Sequence, residues 1–291
     1  MRRSPRLSTF ALAALAVLAA APPRPAAAAD PQDSVRAAKA PILRVAAPTT
    51  VAAAIADIAA QYQRHCGRRV EVTADATETL RRRIEGGEVF DVFFASDAGP
   101  PARLIGEGRA LPGSRVRYAR GVLVLWSAQA GRDLRGPDAL HALGKHRLAV
   151  PDPALSPYGR AAIQTLQSIG LEERLRPLVT LAPNGAGAMS LVRAGSAELG
   201  FVSLAQVRAL PASAQGSLWI VPEPLHHPIM HEAVVLSAGA DTTAARDFLA
   251  FATGPQGRSI LARYGFDPHG LADPPPPPAP EAVPPPPAKA K

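Results

Sequence analysis

The chain is poor in cysteine, aromatic residues and lysine. Cys66 is the one cysteine in 291 residues, which excludes an intrachain disulfide and a thiolate metal cluster. Its neighbours place it at a helix end, as a partly buried free thiol. Phe, Trp and Tyr make up 5% of the chain, and no basic stripe is interleaved with them, which argues against nucleic-acid binding. Lysine is confined to Lys39, Lys145, Lys289 and Lys291. Arginine supplies most of the positive charge, beside abundant Ala and Pro, as a bias of composition. A G-x-x-x-x-G-K-[ST] phosphate loop and a G-x-S-x-G nucleophile elbow are both missing. Past the first 29 residues, no apolar run is long enough to span a bilayer.

What is present begins with a segment of the secretory type. Arg2, Arg3 and Arg6 precede the apolar run from Phe10 to Ala21, and Ala27-Ala28-Ala29 offers a small-residue cleavage site. Residues 1–29 therefore read as a signal peptide, and the mature chain as exported to a bacterial periplasm. The signal holds four arginines and no acid, so the formal charge of +8 falls to 8 − 4 = +4 on its removal. Residues 30–40 are polar and unpatterned, a flexible leader. Residues 271–291 are dominated by proline and read as a disordered or polyproline II tail.

The stretch from Thr73 to Asp97 organises the body. Leu80 and Ile84 share a helix face, with arginines and Glu85 around the rest. Thr77 stands where a hydroxyl caps the helix start. Gly86-Gly87 stops the helix by a left-handed turn. Val89 to Ala95 is a nearly continuous apolar run with Asp91 inside it, as in a strand covered on both faces. Strand–turn–helix units recur on either side. Ile42–Ala47 leads through Pro48-Thr49-Thr50 into a helix with Val51, Ile55, Ile58 and Tyr62 on one side. Arg147–Val150 leads through Pro157-Tyr158-Gly159 into a helix closed by Gly170. Leu178–Leu181 leads through Asn184-Gly185-Ala186-Gly187 into a helix closed by Gly195. Leu199–Val202 ends at Ser203. This alternation predicts an α/β fold with mostly parallel sheets. Val116–Ser127 is long and extended, and suits a crossover between two lobes. Leu218–Val221 and Ala233–Leu236 would carry the chain back. The resulting division is 41–117 plus 229–270 for the first lobe and 118–228 for the second, with hinges near Tyr118–Gly121 and Val221–His227.

In such sheets, ligands bind beyond the carboxyl ends of the strands. The residues there are hydroxylic (Thr49, Thr50, Thr77, Ser203) or glycine-rich (Gly159, Gly185, Gly187), with little positive charge. Taken singly, a Thr at a helix start is most often a cap and a glycine most often a turn residue. Repetition across two lobes points further, to an oxyanion held by hydroxyls and backbone N–H groups. His226, His227 and His231 do not form a metal site, because Pro228 breaks any helix that would align them. No base–nucleophile set is visible, so the chain reads as a binder and not an enzyme, without a cofactor.

Several stretches resemble the periplasmic molybdate-binding proteins of ABC importers: GGEVFDVFFASD (Gly86–Asp97), YARGVLVL (Tyr118–Leu125), VPDPALSPYGRAA (Val150–Ala162), VRAGSAELGFVSLAQV (Val192–Val207) and HHPIMHEAVVL (His226–Leu236). The resemblance runs from Ile42 to Gly265. It implies a two-lobed Venus flytrap of the type II class that takes molybdate or tungstate without a basic residue. It also implies a membrane permease and ATPase as partners, and a monomer. Carried over by position, the ligand-binding set is Thr49, Thr50, Thr77, Tyr158 through its amide, Gly185 through its N–H, and Ser203. This chain departs from the pattern at Pro48, at Gly185 where Val is common, and at Glu78 where Gly is typical. Glu78 and nearby Asp75 would repel a dianion unless turned away. The alternatives are a binder of sulfate or an organic anion, and an extracytoplasmic sensor.

Overall fold

The computed structural model describes residues 42–267. The expected signal, leader and tail lie outside these residues. The first strand, β1 (Leu43–Pro48), is covered on both faces. Val45 and Ala47 pack on Ile55, Ile58 and Tyr62, while Ala46 packs on Leu80, Ile84 and Phe93. This period of two is what a doubly covered strand requires. Helix α1 (Ala52–Cys66) stops at Gly67, whose φ of 73° is left-handed. Cys66 is exposed, not partly buried, and its thiol donates to the Tyr62 carbonyl. It sits on the last turn, where the buried stripe has ended.

Strand β2 (Val70–Asp75) and helix α2 (Thr77–Glu85) follow. Ala76, not Thr77, is the N-cap, and Thr77 is the first helical residue. The Ala76 N–H instead goes to the Asp75 side chain at 2.7 Å. At the far end, Gly86 stays right-handed (φ −71°), and the positive φ of 94° falls on Gly87. Strand β3 (Val92–Ala95) is shorter than the apolar run. Val89 is exposed, and the buried Asp91 carboxylate accepts from the Arg44 N–H (2.6 Å) and the Ala240 N–H (3.0 Å) just before the strand begins.

Helix α3 (Gly99–Gly106) leads to β4 (Val116–Gly121) and, past Val122, to β5 (Leu123–Ser127). Then come α4 (Asp138–His141), β6 (Leu148–Pro151), α5 (Pro157–Ser168), α6 (Glu172–Leu175), β7 (Val179–Ala182), α7 (Gly185–Arg193), β8 (Leu199–Ser203), α8 (Leu204–Arg208) and β9 (Ser217–Ile220). The return consists of β10 (Ile229–Val235), α9 (Thr242–Thr253) and α10 (Pro255–Arg263).

Two five-stranded sheets result, in the orders β2-β1-β3-β10-β4 and β7-β6-β8-β5-β9. In the first, β10 alone opposes the other strands, and in the second β5 alone does so. Each sheet is therefore mostly parallel, with its reversed strand in fourth place. That strand enters just after the chain arrives from the other lobe. The lobes thus share one topology, although no internal repeat is legible in the sequence. The chain crosses at Val122 and between Ile220 and Ile229. Strand β9 stays in the second sheet, and β10 makes the return. The second lobe's core also has two faces, one around Leu125, Leu148 and Tyr158 and one around Val124, Trp126 and Met189.

Candidate functional site

The carboxyl ends of β1, β3, β6 and β8 face one another across the cleft between the lobes. After β1, the turn residues Thr49 and Thr50 lead into α1, and Thr50 is buried. Its hydroxyl lies 2.8 Å from that of Ser96, the residue that follows β3. The Ser96 N–H in turn donates to the Thr77 hydroxyl at 3.4 Å. Thr50, Thr77 and Ser96 thus form one buried hydroxyl cluster on the first lobe. Each hydroxyl carries a single proton. One proton satisfies the Thr50–Ser96 pair, which leaves two O–H donors for a third party.

The second lobe contributes helix starts. Tyr158 is the second residue of α5, and Gly185 the first of α7. First-turn N–H groups have no acceptor within their own helix, and they carry the positive end of its dipole. Asn184 caps α7 by accepting from the Gly187 N–H at 2.9 Å. Helix α7 therefore starts inside the stretch expected to be a turn. Pro157 occupies the N-terminal turn of α5, where its missing N–H costs nothing. Gly159 lies directly against the Pro151 carbonyl, so no side chain fits there.

Ser203 also reaches the cleft, but its hydroxyl is committed. It donates to the Thr50 carbonyl at 3.0 Å and accepts from the Gln206 N–H at 3.1 Å, and Gln206 Oε1 completes a capping box on α8. Ser203 thus ties the second lobe to the first. Three further bonds cross the cleft: Glu78 N–H to the Leu155 carbonyl (3.4 Å), Asn184 Nδ2 to Asp75 Oδ1 (3.4 Å), and an Arg160–Asp97 ion pair. The lobes are shut on each other. Thr49 is half-buried, lining a groove of about 270 Å³ between α1 and helices α7 and α8, and its N–H goes to the Asp75 carbonyl.

Both neighbouring carboxylates are engaged. Glu78 pairs with Arg81 Nε at 2.6 Å, and Asp75 holds Ala76 and Asn184. Their charge is thus partly met within the first lobe.

Behind the cleft, the buried ring of His231 joins the lobes. Its Nδ1 lies 3.0 Å from the Tyr118 hydroxyl, and its Nε2 lies 3.1 Å from the Tyr158 hydroxyl. Tyr118 donates to the Ala95 carbonyl. It therefore accepts from Nδ1–H, and Nε2 accepts from Tyr158. Burial pushes the His231 pKa down from 6.5 to about 3, and pushes both tyrosines up. His231 stays neutral at ordinary pH. Its neighbour Glu232 turns the other way and pairs with Arg115 and Arg117. His226 and His227 lie apart from this ring, toward the surface. Among the described residues, no group of three or more His, Cys, Asp or Glu is placed to hold a metal ion.

Sequence reasoning missed Ser96 and Gln206. Ser96 had a signal, because it directly follows a parallel strand. Gln206 had half of one. Ser203-x-x-Gln206 marks a capped helix start, but only the fold turns that start toward Gly185.

Comparison with known proteins fits this geometry. Residues 43–267 match the family described as Bacterial extracellular solute-binding protein. The Azotobacter vinelandii molybdate-binding protein ModA is 37% identical over 231 residues, covering 79% of this chain and 91% of that one. The Rhodobacter capsulatus molybdate-binding protein ModA is 36% identical, covering 72% and 82%. The solved structure of the Azotobacter vinelandii periplasmic molybdate-binding protein superposes with a TM-score of 0.73 at 33% identity, covering 77% of this chain and 98% of that one. The sulfate-binding protein SubI of Mycobacterium tuberculosis shares the fold, at a TM-score of 0.65 and 16% identity, over 79% and 88% of the two chains. With this match over nearly all the described residues, the chain belongs to the bacterial extracellular solute-binding protein family.

Proposed function

We propose that this protein captures molybdate or tungstate in the cleft between its lobes and delivers it to an ABC importer. The observation that carries the reading is the pairing of a hydroxyl cluster on one lobe with helix starts on the other, without a cationic side chain among the donors. A doubly charged tetrahedral anion is met by such neutral donors, because charge-assisted hydrogen bonds are strong in a water-poor cleft. The proposed donors are the hydroxyls of Thr50, Thr77 and Ser96 and the amides of Tyr158 and Gly185. Thr49 lines the adjoining groove, and Ser203 acts as the cross-lobe tie. The ligand's identity is supported by relatives named for molybdate.

The wider role follows from the same reading. The chain is exported to the periplasm through residues 1–29 and hands its ligand to a membrane permease and its ATPase. It catalyses nothing. All donors come from one chain, in keeping with a monomer. Binding favours the closed lobes, since only closure brings both sets of donors to the anion.

Thermal unfolding with added molybdate, tungstate, sulfate and phosphate tests the ligand. A ligand at about a thousand times its dissociation constant adds about 4 kcal/mol of stability. Molybdate and tungstate should raise the melting temperature, and sulfate far less. An equal or larger rise with sulfate would overturn the molybdate reading.

A further inference from the structure

Gln206 is only 7% exposed and sits on α8, against the start of α7. Its carboxamide is held through one end. Oε1 accepts from the Ser203 N–H at 3.1 Å. Nε2, with two N–H groups, makes no hydrogen bond among the described residues. Gln206 also lines the groove beside Thr49 and Thr50, so these N–H groups are not sealed off and stand open to solvent or to a ligand. The space beside it is equally specific. A Cβ on Gly185 would lie 2.7 Å from Gln206 Oε1, 3.1 Å from Nε2 and 3.1 Å from the Thr50 methyl. The carboxamide therefore occupies the volume that a side chain at 185 would need. The carboxamide and the Thr50 methyl thus flank the same spot beside Gly185, which brings Gln206 close to one proposed donor residue of each lobe.

We propose that Gln206 is a further ligand-binding and specificity-determining residue, whose Nε2 donates to the bound oxyanion through the opening that glycine leaves at position 185. The proposal rests on the oxyanion reading above and adds to it a side-chain donor from the second lobe. It also accounts for glycine at 185 without any demand from backbone conformation. Any larger residue there would displace the carboxamide. With Oε1 pinned by the helix cap, Nε2 is the end left to face a ligand, so the group offers donors only. Such a group suits a fully deprotonated anion.

Gln206→Glu tests this cleanly. Glutamate is an ordinary partner in a Ser-x-x-Glu capping box, so the cap and the volume are kept. What changes is the donor, which becomes a carboxylate facing the anion. Molybdate affinity, measured by calorimetry at about pH 8, should fall roughly 10- to 100-fold. The melting temperature without ligand should hold. Affinity should recover as the pH is lowered to about 5, where the introduced carboxyl, lying beside an anion, takes up a proton. The wild type should show no such pH profile. Gly185→Ala is the second variant. It keeps the N–H at 185 but pushes the carboxamide aside, and should cost about tenfold in affinity. A wild type that binds molybdate while Gln206→Glu binds equally well at every pH overturns this proposal alone. Loss at every pH with a lowered unliganded melting temperature reduces Gln206 to a helix cap and also overturns it. A wild type that binds none of molybdate, tungstate or sulfate overturns the oxyanion reading and this proposal together.

Discussion

The two lobes have the same strand order and the same reversed fourth strand, yet they furnish the cleft differently. The first lobe brings side-chain hydroxyls, from Thr50, Thr77 and Ser96. The second brings backbone amides at the starts of α5 and α7, and spends its own hydroxyl, Ser203, on a helix cap and a cross-lobe bond. Identical topology therefore fixes where donors can stand but not which atoms they are. A hydroxyl can be removed by substitution, whereas an amide can only be displaced. The first lobe should be the sensitive partner in binding, and the seam between the lobes the sensitive place for stability.

The largest effect is expected at the seam. A Cβ on Gly121 would run into the Tyr158 hydroxyl and lie 2.7 Å from His231 Nε2. Gly121→Ala should destabilise the chain by about 3 kcal/mol, the upper range for overpacking a buried contact. Urea unfolding measures this. An unchanged midpoint would show that the lobes do not rely on this contact.

The next effect is acid sensitivity at the same seam. The folded pKa of His231, about 3, lies below its ordinary value of 6.5. The unfolded chain therefore binds the proton first, and stability rises with pH between these values. His231's contribution is whole above about pH 6.5 and is lost as the pH falls toward about 3. By about pH 4 the loss is on the order of 3 kcal/mol. His231→Gln should start less stable at neutral pH but lose less between pH 7 and pH 4. Parallel pH curves for the two proteins would remove His231 from the account.

A direct contrast of the lobes comes third. Thr50→Val keeps the volume but removes a hydroxyl of the first lobe. Molybdate binding should weaken by about 1.5–3 kcal/mol, the range for hydrogen bonds to charged groups. Ser203→Ala on the second lobe should cost about 1 kcal/mol of folding stability as a lost cap, and less than Thr50→Val in affinity. Calorimetry showing the reverse order would break the division between hydroxyl and amide lobes.

The smallest effect is expected for the Arg160–Asp97 pair at the cleft mouth. Both side chains are partly exposed, so Asp97→Asn should cost about 0.2–1 kcal/mol and less in high salt. A larger, salt-independent loss of closure would make this pair a latch.

Much of the fold was legible in the chain itself. Strand–helix alternation, the buried run around Phe93 and the stripe of Ile55, Ile58 and Tyr62 depend on local pattern, and each found its place in the structure. So did the position of Thr50 and Thr77 beyond strand ends, because a parallel sheet dictates where its turns fall. The errors were local competitions between hydrogen-bonding groups. Asp75 met the Ala76 N–H while Thr77 entered the helix as its first residue instead of capping it, and the Asp91 carboxylate took two backbone N–H groups so that the strand began only after it. Neither outcome follows from spacing, since each depends on which polar group arrives first at a free donor. Tertiary structure alone decided the remainder. Ser203 turned from a ligand hydroxyl into a tie, because closure brings the Thr50 carbonyl within its reach. His231, one histidine among three, became the buried joint because β10 carries it between Tyr118 and Tyr158. Gly185 and Gln206, 21 positions apart, came to share one small volume. Local patterns specify elements through repeating backbone geometry, whereas contacts between distant side chains exist only after two lobes have folded and met.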